Sequence, residues 1–117
     1  MKLSFGDLAG LSGSRIVNSE LISRGGFKRV SIDTRTCRKG DLFFAINGEK
    51  FDAHDFLHDA VKRGVGAIVA RKKWYLGLSE EKRERFRKIP LVLVDDTIKA
   101  LGEIARNYRR NFIIPII

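Results

Sequence analysis

No stretch of this sequence is apolar for the roughly 18 residues that a bilayer crossing needs. The N-terminal M-K-L-S-F-G-D-L meets Asp7 before any signal-peptide core could form. The pattern predicts a cytoplasmic protein with no membrane partner. A single cysteine, Cys37, excludes an internal disulfide and cannot by itself make a zinc cluster; its setting between polar residues predicts a solvated thiol in a loop. Absent too are G-x-x-x-x-G-K-[ST], G-x-S-x-G and any Cys/His nucleophile pair, so no catalytic machinery is identifiable. There is no internal repeat and no low-complexity tract.

Acidic residues are also in deficit: 14 Asp and Glu face 23 Lys and Arg, a net charge of +9. A basic domain invites a nucleic-acid reading, because neutralising phosphates releases counterions. The distribution argues against it. Residues 71–88 hold eight Lys or Arg among three Glu, at spacings of three and four that suit a solvated helix. Nucleic acid is therefore the minor reading, with Trp74 and Tyr75 as its stacking groups.

What is present reads as one α/β domain of 117 residues, 44% of them hydrophobic, with three layers around a mixed sheet. A short helix is expected at about 4–11 behind Ser4, with Phe5, Leu8 and Leu11 at helical spacing and Gly10 and Gly13 ending it. A strand is expected over 15–21, a turn at Gly25-Gly26, and a half-buried strand over 28–33 in which Val30 and Ile32 alternate with polar neighbours. The unbroken apolar run Leu42 to Ile46 predicts a strand covered on both faces. Asp52 is the expected cap of a helix over 53–63, with Phe56, Leu57, Ala60 and Val61 as its apolar face and Gly64 as its stop. Buried strands are expected at 67–70 and 91–94. Between them Trp74, Tyr75 and Leu76 would tuck one end of the basic segment down, and Ser79 would open a helix to about residue 88. A last helix over 98–110 carries Ile98, Leu101, Ile104, Ala105 and Tyr108 in one stripe. The apolar end F-I-I-P-I-I, with nothing after it to cover it, suggests a piece of a longer protein.

Three constellations could carry chemistry. Asp33-Thr34-Arg35 follows a strand at its carboxyl end, where open α/β sheets bind ligands; a Thr hydroxyl, loop N–H groups and an Arg fork suit a phosphate. The competing reading is local, with Asp33 pairing with Arg35 or capping a turn. Asn47-Gly48-Glu49-Lys50 leads into a helix N-terminus and could approach an anion closely, or form a plain turn. His54 and His58 share a helix face, but H-D-x-x-H lacks a third ligand and Asp52 is committed to capping, so no metal is expected.

Together, S-I-D-T-R-T-C-R-K-G-D-L-F-F-A-I-N-G-E-K-F-D-A-H-D-F and A-V-K-R-G-V-G-A-I-V-A resemble the N-terminal domain of the Mur ligases, whose pattern runs D-[ST]-R, G-D-L-F-x-A, G-x-x-x-D-G-H-x-F. The segment L-V-L-V-D-D-T-I-K-A-L-G-E-I-A-R-N-Y-R is similar to their link to the ATPase domain. The resemblance covers about residues 28–117. Thr34, N-G-E-K-F-D and Y-R-x-x-F-x-x-P are most like the MurF branch, which adds D-alanyl-D-alanine, with the amino-acid-adding MurE branch as the alternative. It implies that residues 1–111 form a UDP-substrate-binding N-terminal domain and that 112–117 begin a truncated ATPase domain. It implies a substrate site for UDP-N-acetylmuramoyl peptide made by Ile32, Asp33, Thr34, Arg35, Asn47, Gly48, Glu49, Lys50 and Phe51, shaped by Asp52, His54 and Phe56. Neither a metal nor a catalytic residue is expected here. The parent enzyme would use ATP and Mg to phosphorylate the substrate carboxylate for attack by the dipeptide amine, with the ATPase and C-terminal domains as partners in peptidoglycan synthesis. One departure stands out: Ala53 occupies a position where the family usually has glycine.

Overall fold

A computed structural model describes residues 5–11, 13–22, 26, 27, 29–46 and 52–108. Expectations for Ser4, Gly25, Lys28, residues 47–51 and residues 109–117 fall outside the described residues, as do the side chains of Phe5 and Tyr108. Five strands form one sheet: β1 (Arg15–Val17), β2 (Val30–Ser31), β3 (Leu42–Phe44), β4 (Ala67–Arg71) and β5 (Leu91–Val94). Their spatial order is β1-β5-β4-β3-β2, with β1 antiparallel to β5 and every other pair parallel. The helices are α1 (Phe5–Ala9), α2 (Leu57–Lys62), α3 (Lys72–Leu76), α4 (Glu80–Glu84) and α5 (Thr97–Tyr108), with 3-10 turns at Ser19–Leu21 and Ala53–Phe56.

The inner strands explain the layering. Along β3, β4 and β5 successive residues point to opposite faces, yet all of them are apolar up to the end of β4, so each face needs a cover. On one face Leu42, Phe44, Ala67, Val69, Val92 and Val94 pack with Leu8 of α1 and Leu101 and Ile104 of α5. On the other, Phe43, Ile68, Ala70, Leu91 and Leu93 pack with Leu57 and Ala60 of α2 and with Phe86 and Ile89. The expected three-layer α/β architecture around a mixed sheet is thus observed.

Several boundaries differ from the expectation, each for a local reason. The first strand stops at Val17 because Asn18 turns left-handed (φ 60°) and its Nδ2 donates to the carbonyls of Phe86 (3.1 Å) and Ile89 (2.9 Å). β2 is an edge of two residues, both buried, so the expected alternation is not seen there. Phe56 belongs to the 3-10 turn before α2 and is 43% exposed, off the apolar face assigned to it. Leu76 is 68% exposed rather than tucked down, and Ile98, at the start of α5, is 49% exposed. The Cys37 thiol is not solvated: it is buried against the α2 layer, donates to the Thr34 carbonyl (3.4 Å), and is pushed above the usual thiol range by burial.

Two glycines are required by geometry. Gly64 ends α2 at φ +83°, a conformation a side chain resists. At Gly66 a Cβ would stand 2.8 Å from the Phe27 ring and 3.0 Å from the Gly40 carbonyl. Packing also ranks the α5 positions: Leu101→Ala should lose about 2 to 5 kcal/mol, and Ile98→Ala should stay within about 0.5 kcal/mol of the parent. Urea unfolding of the two variants checks the order.

Candidate functional site

Because β2 to β5 run in parallel, their carboxyl ends share one edge of the sheet. Residues 32–35 leave that edge from β2, Ala45 and Ile46 from its neighbour β3, Arg71 and Lys72 from β4, and Asp95 and Asp96 from β5. Open α/β sheets place ligand crevices at this edge.

The Asp33-Thr34-Arg35 segment is a tight turn with a built-in ion pair. The Asp33 carbonyl accepts from the N–H groups of Thr36 (3.2 Å) and Cys37 (3.0 Å). Its carboxylate accepts from the Arg35 N–H (2.8 Å) and from Nε and Nη2 of the Arg35 guanidinium (Nη2 at 2.8 Å). The local alternative for D-T-R is therefore the arrangement found, and Arg35 supports the turn in place of offering both arms of its fork to a ligand. These bonds hold the Asp33 carboxyl below its ordinary value and raise the Arg35 guanidinium. The Thr34 hydroxyl makes no hydrogen bond among the described residues. Just before the turn, the Ser31 hydroxyl is buried without a partner among the described residues.

A buried ion pair straps the rest of this connection to the sheet. Asp41, 3% exposed, accepts from the Arg38 N–H (2.8 Å) and pairs with Arg29, whose Nη2 reaches the Thr36 carbonyl (3.3 Å). Asp41 is the acidic residue of the G-D-L-F-x-A pattern, but no role was assigned to it from the sequence, and nothing there singled out Arg29.

Residues 47–51 lie outside the described residues, but their attachment points do not. The Ala53 N–H donates to the Ile46 carbonyl (3.2 Å), which closes the base of this loop. Ala53 stands at the start of the 3-10 turn, where a methyl group is tolerated. Asp52 caps that turn as expected, accepting from the His54 N–H (2.9 Å), and its Oδ1 also meets His54 Nδ1 at 2.6 Å. Partial burial raises the Asp52 carboxyl, but the His54 backbone and ring bonds outweigh it and leave the group lowered. Nε2 of His54 accepts from the Arg71 N–H (3.0 Å), so both ring nitrogens of His54 are occupied by hydrogen bonds. Among the described residues no three His, Cys, Asp or Glu side chains converge as metal ligands.

Two open clefts flank this edge. Asp52, His54, Arg71, Lys73 and Trp74 line one of about 290 Å³, and Arg71, Asp95, Asp96, Thr97 and Ile98 line one of about 260 Å³. Arg71, assigned from sequence to a solvated face, thus borders both. Three other bases of the segment are engaged within the protein. Arg83 lies 4.6 Å over the Tyr75 ring and donates to the Tyr75 carbonyl (3.3 Å), Arg87 pairs with Glu84 (3.3 Å), and Lys72 pairs with Asp95 (3.5 Å).

The depressed Asp33 carboxyl has a pH consequence. Its pairing contributes stability above the unfolded-state value of about 4, and that contribution is lost as pH falls through the lower folded-state value. The pair is exposed, so the contribution is small and the effect is best read at the group itself. Arg35→Ala should move the Asp33 midpoint up toward the ordinary carboxylate range in a carboxyl-carbon NMR titration, the N–H of residue 35 still holding part of the lowering. An unchanged midpoint contradicts the pairing.

Comparison with known proteins places these features in a family. The model of the Mur ligase family, catalytic domain, matches residues 27–109. The UDP-N-acetylmuramoyl-tripeptide--D-alanyl-D-alanine ligase of Haemophilus influenzae is 33% identical over 106 residues, 91% of this chain and 20% of the relative. The UDP-N-acetylmuramoyl-L-alanyl-D-glutamate--2,6-diaminopimelate ligase of Aquifex aeolicus is 36% identical over 81 residues, 69% of this chain and 14% of the relative. Among solved structures, MurF from Acinetobacter baumannii superposes with a TM-score of 0.55 at 29% identity, covering 70% of this chain and 16% of that one. The chain spans a fifth or less of the length of these relatives. With its α/β fold and the matched stretch in agreement, the chain belongs to the Mur ligase family.

Proposed function

We propose that this chain is the domain that anchors the UDP end of UDP-N-acetylmuramoyl peptide in a Mur ligase that adds D-alanyl-D-alanine. Residues 1–111 would form the anchoring domain and 112–117 the start of the ATPase domain. The observation that carries the reading is the adjacency of β2 and β3. Paired in parallel as Val30 with Leu42 and Ser31 with Phe43, they send residues 32–35 and residues 45 and 46, which precede 47–51 in the chain, off neighbouring points of one edge. These are the two segments whose sequence resembles the nucleotide-binding pattern.

The chemistry fits a handle. The Asp33 turn is set by its own bonds before any ligand arrives, so Thr34 and the turn backbone are presented at little ordering cost. The sequence lacks a glycine-rich phosphate loop, so the residues present do not fit ATP, and no step of ligation is derived from them. The Aquifex relative keeps a MurE-type, amino-acid-adding ligase as the second reading. A nucleic-acid surface is disfavoured by the internal engagement of Arg83, Arg87 and Lys72.

Since other domains would complete the site, UDP alone should bind weakly, with Kd about 1 mM, or about −4 kcal/mol. In an NMR titration the amides of Thr34, Glu49 and Lys50 should shift with UDP. No shift at these amides in excess UDP would contradict the proposal.

A further inference from the structure

We propose that His54 is the positioning residue for Asp52, which follows residues 47–51 in the chain: its neutral imidazole takes the place of a backbone rung on β4 and fixes Asp52 against the sheet. The consequence for UDP rests on the anchoring reading above; the clamp itself does not.

In a parallel ladder a residue donates its N–H to one partner-strand carbonyl and accepts, at its own carbonyl, from the N–H two residues further along. The Ala45 N–H donates to the Val69 carbonyl (2.9 Å), so the next rung of β4 is the Arg71 N–H. That N–H is taken by Nε2 of His54, at 3.0 Å, across 17 positions of sequence. The imidazole thus continues the ladder where the backbone of β3 departs into the loop. Ala45, before residues 47–51, is thus referenced to β4 through its own N–H, and Asp52, after them, through His54.

The ring is suited to this task. Its side chain is 2% exposed, and Trp74 packs at 5.7 Å between ring centroids. Nε2 faces a donor and therefore carries no proton, which leaves the proton on Nδ1, where it is given to Asp52 Oδ1 at 2.6 Å. Asp52 directly follows the loop, so the ring ties the loop's last post to the central strand of the sheet. A neutral imidazole is the one side chain that accepts on one edge and donates on another across a rigid plane. A side-chain amide carries both groups on one carbon.

The test uses the 117-residue chain. Long-range nitrogen–proton NMR of the His54 ring should show the Nδ1–H tautomer, and the Arg71 amide should be protected from hydrogen exchange. In the ligand-free protein, His54→Ala should shift the amides of residues 47–51, and His54→Gln, which can return an acceptor to the Arg71 N–H, should restore part of their position. UDP affinity should fall about tenfold in His54→Ala. Leu57→Ala, which removes packing from the same layer without touching these bonds, should leave it within about twofold. An Nε2–H ring, or an Arg71 amide exchanging as freely as an exposed one, overturns the clamp in the unmodified protein even where His54→Ala does not fold. Unmoved loop amides in a folded His54→Ala overturn it as well. A wild-type protein whose amides ignore UDP overturns the anchoring reading instead, while the tautomer and the ligand-free loop amides still decide the clamp.

Discussion

Two-sided burial of β3, β4 and β5 is the constraint on which the rest of the structure depends. Strands that are apolar on both faces cannot be left with one face in water, so α1 and α5 cover one side and α2 with the α4 region covers the other. Parallel strands need the chain to return across the sheet after each, and every return begins at the same edge. The hydrophobic requirement thus dictates where the polar loops gather. The function proposed for this edge would be a by-product of how the core is closed.

Precision at the edge comes from short polar contacts anchored in that core. Asp41, Arg29 and the Arg38 N–H hold the connection from β2 to β3; Asp33 and Arg35 shape its tip; Asp52, His54 and the Arg71 N–H hold the far side of the next loop. None of these depends on the net charge of +9, although some of the bases are paired locally, as Lys72 is with Asp95 and Arg87 with Glu84. The positive charge describes the surface, and the buried or half-buried contacts describe the site.

How much was legible in the sequence follows the range of the interactions involved. Leu42 to Ile46, Ala67 to Ala70 and Leu91 to Val94 read as buried strands because their pattern is unbroken, although the first strand ends at Phe44, and Asp52, Ser79 and Gly64 read as helix signals because capping is local. Asn18 could not be read as the end of β1, since its reason lies in the carbonyls of Phe86 and Ile89. Cys37 looked solvated from its neighbours and is buried by α2, and Phe56 and Ile98 fit apolar stripes yet are exposed, Phe56 in the 3-10 turn before α2 and Ile98 in the first turn of α5. At the site, the Asp33–Arg35 pair was among the readings available from D-T-R alone. The partners of His54 were not, because one of them lies at the end of β4. Residues 47–51 remain a reading from resemblance, set between attachment points that the structure does describe.

The central claim is that the UDP end of the substrate sits between the two segments that leave β2 and β3. Intermolecular nuclear Overhauser contacts from the uracil and ribose protons of bound UDP test it most directly. The account predicts contacts to Thr34 and to residues 47–51. Contacts confined to the helices of residues 71–88, with none at the carboxyl edge of β2 and β3, would contradict it.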